Sequence, residues 1–151
     1  MKKIVLTILL LIISINVYGE HVPLQTAQKV ALNWFNHTKN QEDVLKQPSR
    51  RNKTPDSPIK NVYVEQKNET NTLYIFNMNP TGFVVVAADD AVDPILAYSF
   101  ESELVQDNIN PAAQEWIDNY SSQISSVIST QPENGEKVGT WSTLTSESFN
   151  I

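Results

Sequence analysis

Apolar residues recur at helical spacing within residues 24–37, and polar residues fill the positions between them. The side chains that share one face of such a helix are Leu24, Ala27, Val30, Ala31 and Trp34. Pro23 precedes them and suits the first turn of a helix, where its missing N–H group is no loss. The pattern predicts an amphipathic helix over residues 24–37.

Four short runs rich in β-branched and aromatic residues follow, and they predict four strands. The runs are residues 62–64, 72–78, 82–88 and 95–100. The Asn79-Pro80-Thr81-Gly82 sequence between the second and third runs is typical of a tight turn. Such short links imply antiparallel neighbours. The third run is apolar on both faces, so we expect it in the middle of the sheet.

A second amphipathic pattern occupies residues 111–129. Its apolar face consists of Ala113, Trp116, Ile117, Tyr120, Ile124, Val127 and Ile128. Asn110 is a good N-cap for this helix and Pro111 a good first residue. The fold class is therefore predicted as α+β, with a four-stranded antiparallel sheet packed against an N-terminal and a C-terminal helix. We expect the two helices to cover one face of the sheet.

Two polar stretches lie outside these elements. Residues 41–60 carry three prolines and no helix or strand period, which predicts a loop. Its basic residues 50–53 fit a docking patch, a protease-sensitive site or an ordinary solvated loop. Residues 131–151 form a polar tail whose large side chains are Trp141 and Phe149. One domain is thus expected over residues 22–130.

The first nineteen residues predict a signal peptide. Lys2 and Lys3 precede an apolar run over residues 4–15, and small or β-branched residues at Val17 and Gly19 suit a cut ahead of Glu20. The run is too short to span a membrane, which takes about 20 residues. We therefore expect a secreted or periplasmic protein without stable membrane association.

Acidic residues outnumber basic ones, at 17 Asp+Glu against 11 Lys+Arg. This balance argues against nucleic acid or an anionic membrane as a partner. The chain contains no cysteine, which excludes a cysteine nucleophile, and neither His21 nor His37 lies in a triad or metal-ligand motif. We expect no catalytic residue, no metal site and no cofactor.

Asp89, Asp90 and Asp93 form the densest group of carboxylates. Paired carboxylates serve acid–base chemistry or bind calcium. These residues directly follow a predicted strand, however, and Asp93 precedes Pro94, which is a turn signal. The turn interpretation is favoured.

The sequence GFVVVAADD at residues 82–90, followed by PILAYS at 94–99, resembles the propeptides of streptopain and the interpain-type proteases. These enzymes are papain-like cysteine proteases, and the related stand-alone proteins form the Spi inhibitor family. The first predicted helix, the Asn108-Ile109 pair and the WIDNY sequence at 116–120 are similar to the family as well. The resemblance covers residues 22–128. Ala97, where the family usually has glycine, and a longer loop over residues 101–110 depart from the pattern.

The resemblance implies a non-enzymatic, stand-alone inhibitor of a streptopain-type protease, because this sequence has no catalytic domain. In the propeptide of streptopain, the loop before the last helix presents an asparagine to the catalytic cleft and holds the catalytic histidine out of place. By this match Asn108 enters the cleft, and Ile109, Asp107 and Val105 bind the protease beside it. Asn110 competes for the role, but its place before Pro111 already explains it as a helix cap.

The remaining loop residues leave alternatives open. Glu101, Glu103 and Asp107 would steer the loop toward a basic cleft. The apolar residues either contact the protease or pack inward, and they are Phe100, Leu104, Val105 and Ile109. Two other functions compete with inhibition: a trans-acting propeptide that assists folding of a separate protease, and an unrelated exported interaction module.

Overall fold

The computed structural model describes residues 19–46, 58–130 and 137–146. Three helices and four strands follow one another along these segments. They are α1 (Leu24–Lys46), β1 (Ile59–Lys67), β2 (Thr70–Met78), β3 (Phe83–Ala87), β4 (Ile95–Ser99), α2 (Pro111–Thr130) and α3 (Val138–Thr145). The α+β fold class, with the sheet packed against an N-terminal and a C-terminal helix, is confirmed.

The four strands form one antiparallel sheet in the order β1-β2-β3-β4. A two-residue turn at Asn68 and Glu69, both with positive φ, joins β1 to β2. The predicted turn before β3 is present, and Gly82 takes a φ of +112° there. The interior position predicted for β3 is confirmed, and every residue from Val84 to Ala87 is buried.

Both faces of the sheet are covered, so the expectation that the helices share one face is wrong. Consecutive residues of β2, from Leu73 to Met78, are all buried, although neighbouring side chains on a strand point to opposite faces. On one face, the ring of Tyr98 lies 4.3 Å from that of Trp34 in α1. On the other, Ser121 of α2 hydrogen bonds to Thr72, which a register irregularity between Glu65 and Gln66 leaves without a partner on β1, so that Thr72 does not follow the alternation of the strand. Strands that are apolar on both faces require a layer on each side.

Helix α1 is longer than predicted, since it continues from residue 37 to Lys46. The apolar pattern stops at residue 37, and Asn40 and Gln41, which follow it, are exposed. Residues 38–46 contain no proline or glycine, so nothing in the sequence ends the helix there. The basic residues 50–53 of the predicted loop lie outside the described residues.

Helix α3 lies within the predicted polar tail and packs against α1. Trp141 and Leu144 are each only 5% exposed. The indole nitrogen of Trp141 donates a hydrogen bond to the carbonyl oxygen of Val92, and Nδ2 of Asn33 donates one to the carbonyl oxygen of Leu144. The tail therefore contributes two side chains to the core. Phe149, its other large residue, lies outside the described part of the chain.

Candidate functional site

The β4–α2 loop, residues 100–110, contains every residue to which the family resemblance assigns protease binding. Ser99 fixes the direction in which the chain leaves the sheet, because its Oγ accepts the backbone N–H groups of Glu101, at 3.2 Å, and Ser102, at 3.0 Å. Thr81 adds a 3.2 Å hydrogen bond from its hydroxyl to the carbonyl oxygen of Glu101. The loop thus starts as an ordered turn.

Leu104, in the middle of the loop, is held by the side chain of Asn77. The backbone N–H of Leu104 donates to Oδ1 of Asn77 at 2.9 Å, and Nδ2 of Asn77 donates to the carbonyl oxygen of Leu104 at 2.8 Å. Asn77 is fully buried in β2. It therefore acts on Leu104 as a neighbouring strand would, through one donor and one acceptor.

The tip of the loop is residues 105–108, which include a short 3₁₀ turn, Gln106–Asn108. The backbone N–H of Asn108 donates a 2.9 Å hydrogen bond to the carbonyl oxygen of Val105. Val105 is 47% exposed, and Asp107 and Asn108 are exposed too. Ile109 is half-buried and packs against the core. Three of the four predicted binding residues are thus exposed to solvent, and the fourth, Ile109, attaches the turn to the core.

The loop ends at a capped helix. Oδ1 of Asn110 accepts the backbone N–H of Ala112 at 2.8 Å, and the Asn110 carbonyl oxygen accepts that of Gln114 at 2.9 Å. The first contact satisfies an orphan N–H group of the first turn of α2, and the second is the first backbone hydrogen bond of the helix. The predicted capping role of Asn110 is confirmed, and the tip is therefore bounded by one fixed residue on each side, Leu104 and Asn110.

The three carboxylates of the loop differ in whether a nearby cation neutralises them. Nζ of Lys60 lies 2.8 Å from Oε2 of Glu103, and the Glu103 side chain is 22% exposed. Glu101 and Asp107 are exposed. Because Lys60 compensates Glu103, the acidic steering expected from the loop falls mainly to Glu101 and Asp107.

The aspartates after β3 anchor the N-terminal segment. Asp89 is 4% exposed, and its Oδ1 accepts the backbone N–H of Ala91 at 3.0 Å, closing the turn. Its backbone pairs with His21, and the Glu20 N–H donates to Oδ1 of Asp90 at 2.6 Å. Burial raises the pKa of Asp89, and the nearby Asp90 carboxylate raises it further. This arrangement agrees with the turn interpretation.

Other candidate chemistry is sparse in the described part of the chain. Residues 19–41, 58–130 and 137–146 contain no group of three or more histidine or carboxylate side chains placed to hold a metal ion. His37 lies beside Gln41 on α1, at 3.4 Å between their side-chain nitrogens. Among the helices in these ranges, none has the length and apolar character needed to cross a bilayer.

The fold and the β4–α2 loop together define a small α+β domain that presents an anchored turn to solvent, an arrangement suited to binding another protein. A family model described as Spi protease inhibitor matches residues 19–124, well over half of the chain. The chain therefore belongs to the Spi protease inhibitor family, and the resemblance seen in the sequence is confirmed. No curated protein and no solved structure matches. Membership implies a protease as partner and suggests a non-enzymatic role.

Proposed function

We propose that this protein is an exported inhibitor of papain-like cysteine proteases of the streptopain type, and that it blocks the catalytic cleft with the tip of the β4–α2 loop. The observation that carries the proposal is the geometry of the tip. Its residues are exposed, whereas Leu104 before it and Asn110 after it are fixed by hydrogen bonds. A loop already ordered in the free protein loses little conformational entropy on binding, which favours tight association.

Each tip residue has a distinct task in this proposal. Asn108 offers an exposed amide with both donors and an acceptor, which suits hydrogen bonding inside a polar cleft. Val105 supplies exposed apolar area. Asp107 adds a negative charge that increases the rate of encounter with a basic cleft. Ile109 acts indirectly, by packing under the turn.

The predicted signal peptide places the inhibitor in the same compartment as a secreted protease. Once residues 1–19 are removed, the protein would act in the periplasm or outside the cell. No cofactor enters the proposed mechanism, because occlusion of a cleft needs only shape and hydrogen bonds. Expression with the intact leader, followed by intact mass measurement of the exported product, tests this part, and a product that retains residues 1–19 contradicts it.

The central test measures inhibition of streptopain-type proteases from the same source. We expect tight, reversible inhibition without cleavage of the inhibitor. Replacing Asn108→Ala should weaken binding by roughly 2 kcal/mol, or about thirtyfold, if Asn108 is a hot spot. Asn119→Ala is the matched control, since Asn119 is also an exposed asparagine but lies on α2. Absence of inhibition against every such enzyme would overturn the proposal.

A further inference from the structure

The buried side chain of Asn77 connects the sheet to the loop that contains the proposed inhibitory tip. Asn77 is 0% exposed, lies on β2 and makes three hydrogen bonds. Two of them go to the backbone of Leu104, as donor and as acceptor. The third runs from Nδ2 to Oδ1 of Asn61 on β1, at 2.8 Å. Among the buried residues of β2 from Leu73 to Met78, Asn77 interrupts an otherwise apolar or aromatic run.

We propose that Asn77 is a positioning residue: it fixes Leu104, and through Leu104 it holds the loop tip in the one conformation that binds a protease. The inference rests on the proposed function, since it concerns the loop that this function uses. Asn77 itself is buried and would not touch the protease. Its effect reaches the partner only through the conformation of residues 105–108.

The chemistry of this position requires an asparagine. Leu104 presents one N–H and one C=O toward the sheet, so the group facing it must accept and donate within a short distance. A primary amide on a one-carbon stem does both. Aspartate would accept from the N–H but repel the carbonyl oxygen, and leucine of similar size would leave both backbone groups without a partner from β2. A buried polar group without a partner is destabilising, so the loop would move to reach water.

Asn61 determines which way the Asn77 amide points. Nδ2 of Asn77 has two hydrogens, and these go to the Leu104 carbonyl oxygen and to Oδ1 of Asn61. Rotating the amide by half a turn would set its oxygen against two acceptors and its nitrogen against a donor. Asn61 therefore stabilises the orientation that Leu104 needs. Asn61 is only partly buried, on the edge strand β1, so it can be changed with less damage to the fold.

Release of Leu104 would lengthen the free part of the loop. With Leu104 and Asn110 fixed, only residues 105–109 lie between the two anchors. Without Asn77, the next backbone hydrogen bonds toward the sheet are those of Glu101 and Ser102 to Ser99, and between them and the tip only the Glu103 side chain is held, by its ion pair with Lys60. A longer, mobile loop must be ordered on binding, which weakens the complex, and it can enter the protease cleft as an extended substrate. Loss of Asn77 should therefore turn an inhibitor into a slowly cleaved substrate.

The experiment compares Asn77→Leu with the natural protein by hydrogen exchange and by inhibition. We expect the amides of Leu104 and Asn108, whose N–H groups are hydrogen-bonded, to exchange at least about tenfold faster while the amides of β2 and β3 keep their protection. Inhibition should weaken by roughly tenfold or more, and the protease should cut the variant within residues 102–109. Trp141→Phe serves as a control because it removes one partly buried hydrogen bond, from Trp141 of α3 to Val92, that involves no residue of the loop. It should lower global stability and leave loop exchange and inhibition unchanged.

Asn61→Ala gives a second variant that keeps the inference testable if Asn77→Leu does not fold. It should show the same local exchange and the same gain in cleavage, to a smaller extent, and Asn61→Asp, which keeps the acceptor, should restore both. Unchanged exchange at the amides of Leu104 and Asn108 in the Asn77 or Asn61 variant overturns the positioning role. Faster exchange with no inhibition by the natural protein overturns the proposed function alone, since the exchange measurement requires no protease. Faster exchange with unaltered inhibition shows that the tip conformation is not what the protease recognises, and it also overturns the inference.

Discussion

The indole nitrogen of Trp141 donates a 2.8 Å hydrogen bond to the carbonyl oxygen of Val92, which joins α3 to the turn that precedes β4. Trp141 is 5% exposed, and its neighbour Leu144 is buried to the same extent. Asn33 of α1 binds the other end of α3, through Nδ2 and the Leu144 carbonyl oxygen at 2.7 Å. The helix is therefore attached to two separate parts of the domain.

Replacing Trp141→Ala should lower the free energy of unfolding by about 3 kcal/mol, because a large buried side chain leaves a cavity. Trp141→Phe keeps most of the apolar area and loses the hydrogen bond, so we expect about 1 kcal/mol. Urea denaturation measures both values. Val138→Ala, at an exposed position of the same helix, should stay within about 0.5 kcal/mol of the natural protein. An unchanged stability in Trp141→Ala would show that α3 does not contribute to folding.

Gly82 should not tolerate a side chain. Its φ is +112°, and a Cβ there would lie 2.7 Å from the carbonyl oxygen of Ser99 and 2.9 Å from Cζ of Phe35. Gly82→Ala combines backbone strain with these two close contacts, and we expect it to cost about 2 kcal/mol or more. Thermal unfolding would measure the loss. A variant as stable as the natural protein would show that the turn before β3 adopts another conformation.

Gly139, in contrast to Gly82, should tolerate a side chain. It lies in α3, where a Cβ would meet no atom within 4 Å. Gly139→Ala should therefore stabilise the protein by about 0.4–1 kcal/mol, because alanine loses less backbone entropy than glycine in a helix. A destabilised Gly139→Ala variant would contradict the helical assignment of this segment.

The hydroxyl pair of Thr72 and Ser121 joins β2 to α2. Their oxygens are 2.7 Å apart, and both residues are buried. Because Thr72 also donates to the carbonyl oxygen of Glu65 at 3.2 Å, Ser121 supplies the hydrogen between the two hydroxyls. Ser121→Ala should cost about 1 kcal/mol, and Thr72→Val about 2 kcal/mol, since it leaves two groups unpaired. A double-mutant cycle that gives additive losses would exclude a direct bond.

The strands and the two long helices were predictable because their apolar positions follow simple periods. The run at residues 82–88 identified an interior strand, since β-branched residues on both faces suit only a covered position, and Asn110 before Pro111 identified the start of α2. The loop tip was identified by resemblance and not by any local pattern. Its exposed residues carry no period that would distinguish them from an ordinary loop.

What the sequence did not reveal depends on contacts between distant residues. Helix α3 has only Trp141 and Leu144 as buried residues, and two apolar positions are too few to show a helical period. The placement of α1 and α2 on opposite faces depends on which side of the sheet each connection crosses. The role of Asn77 was missed as well, although an asparagine inside an apolar strand is an available signal, because a buried amide needs partners.

Glu65 should make the protein more stable in mild acid than at neutral pH. Partial burial raises the pKa of Glu65 above its ordinary value of 4.5, and the carboxylate of Asp118 on α2 raises it further. The folded state therefore binds this proton more tightly than the unfolded state. The resulting contribution to stability is fully present below pH 4.5 and is lost as the pH rises through the folded pKa. Glu65→Gln should accordingly stabilise the protein at pH 7, by less than about 1 kcal/mol because solvent still screens a carboxylate that is only partly buried. Urea titrations at pH 7 and below pH 4.5 should show this gain only at the higher pH. Asp118→Asn, which removes the second cause alone, should give a smaller gain, and a Glu65→Gln variant that is less stable at pH 7 would show that the charged carboxylate is favourable in the fold.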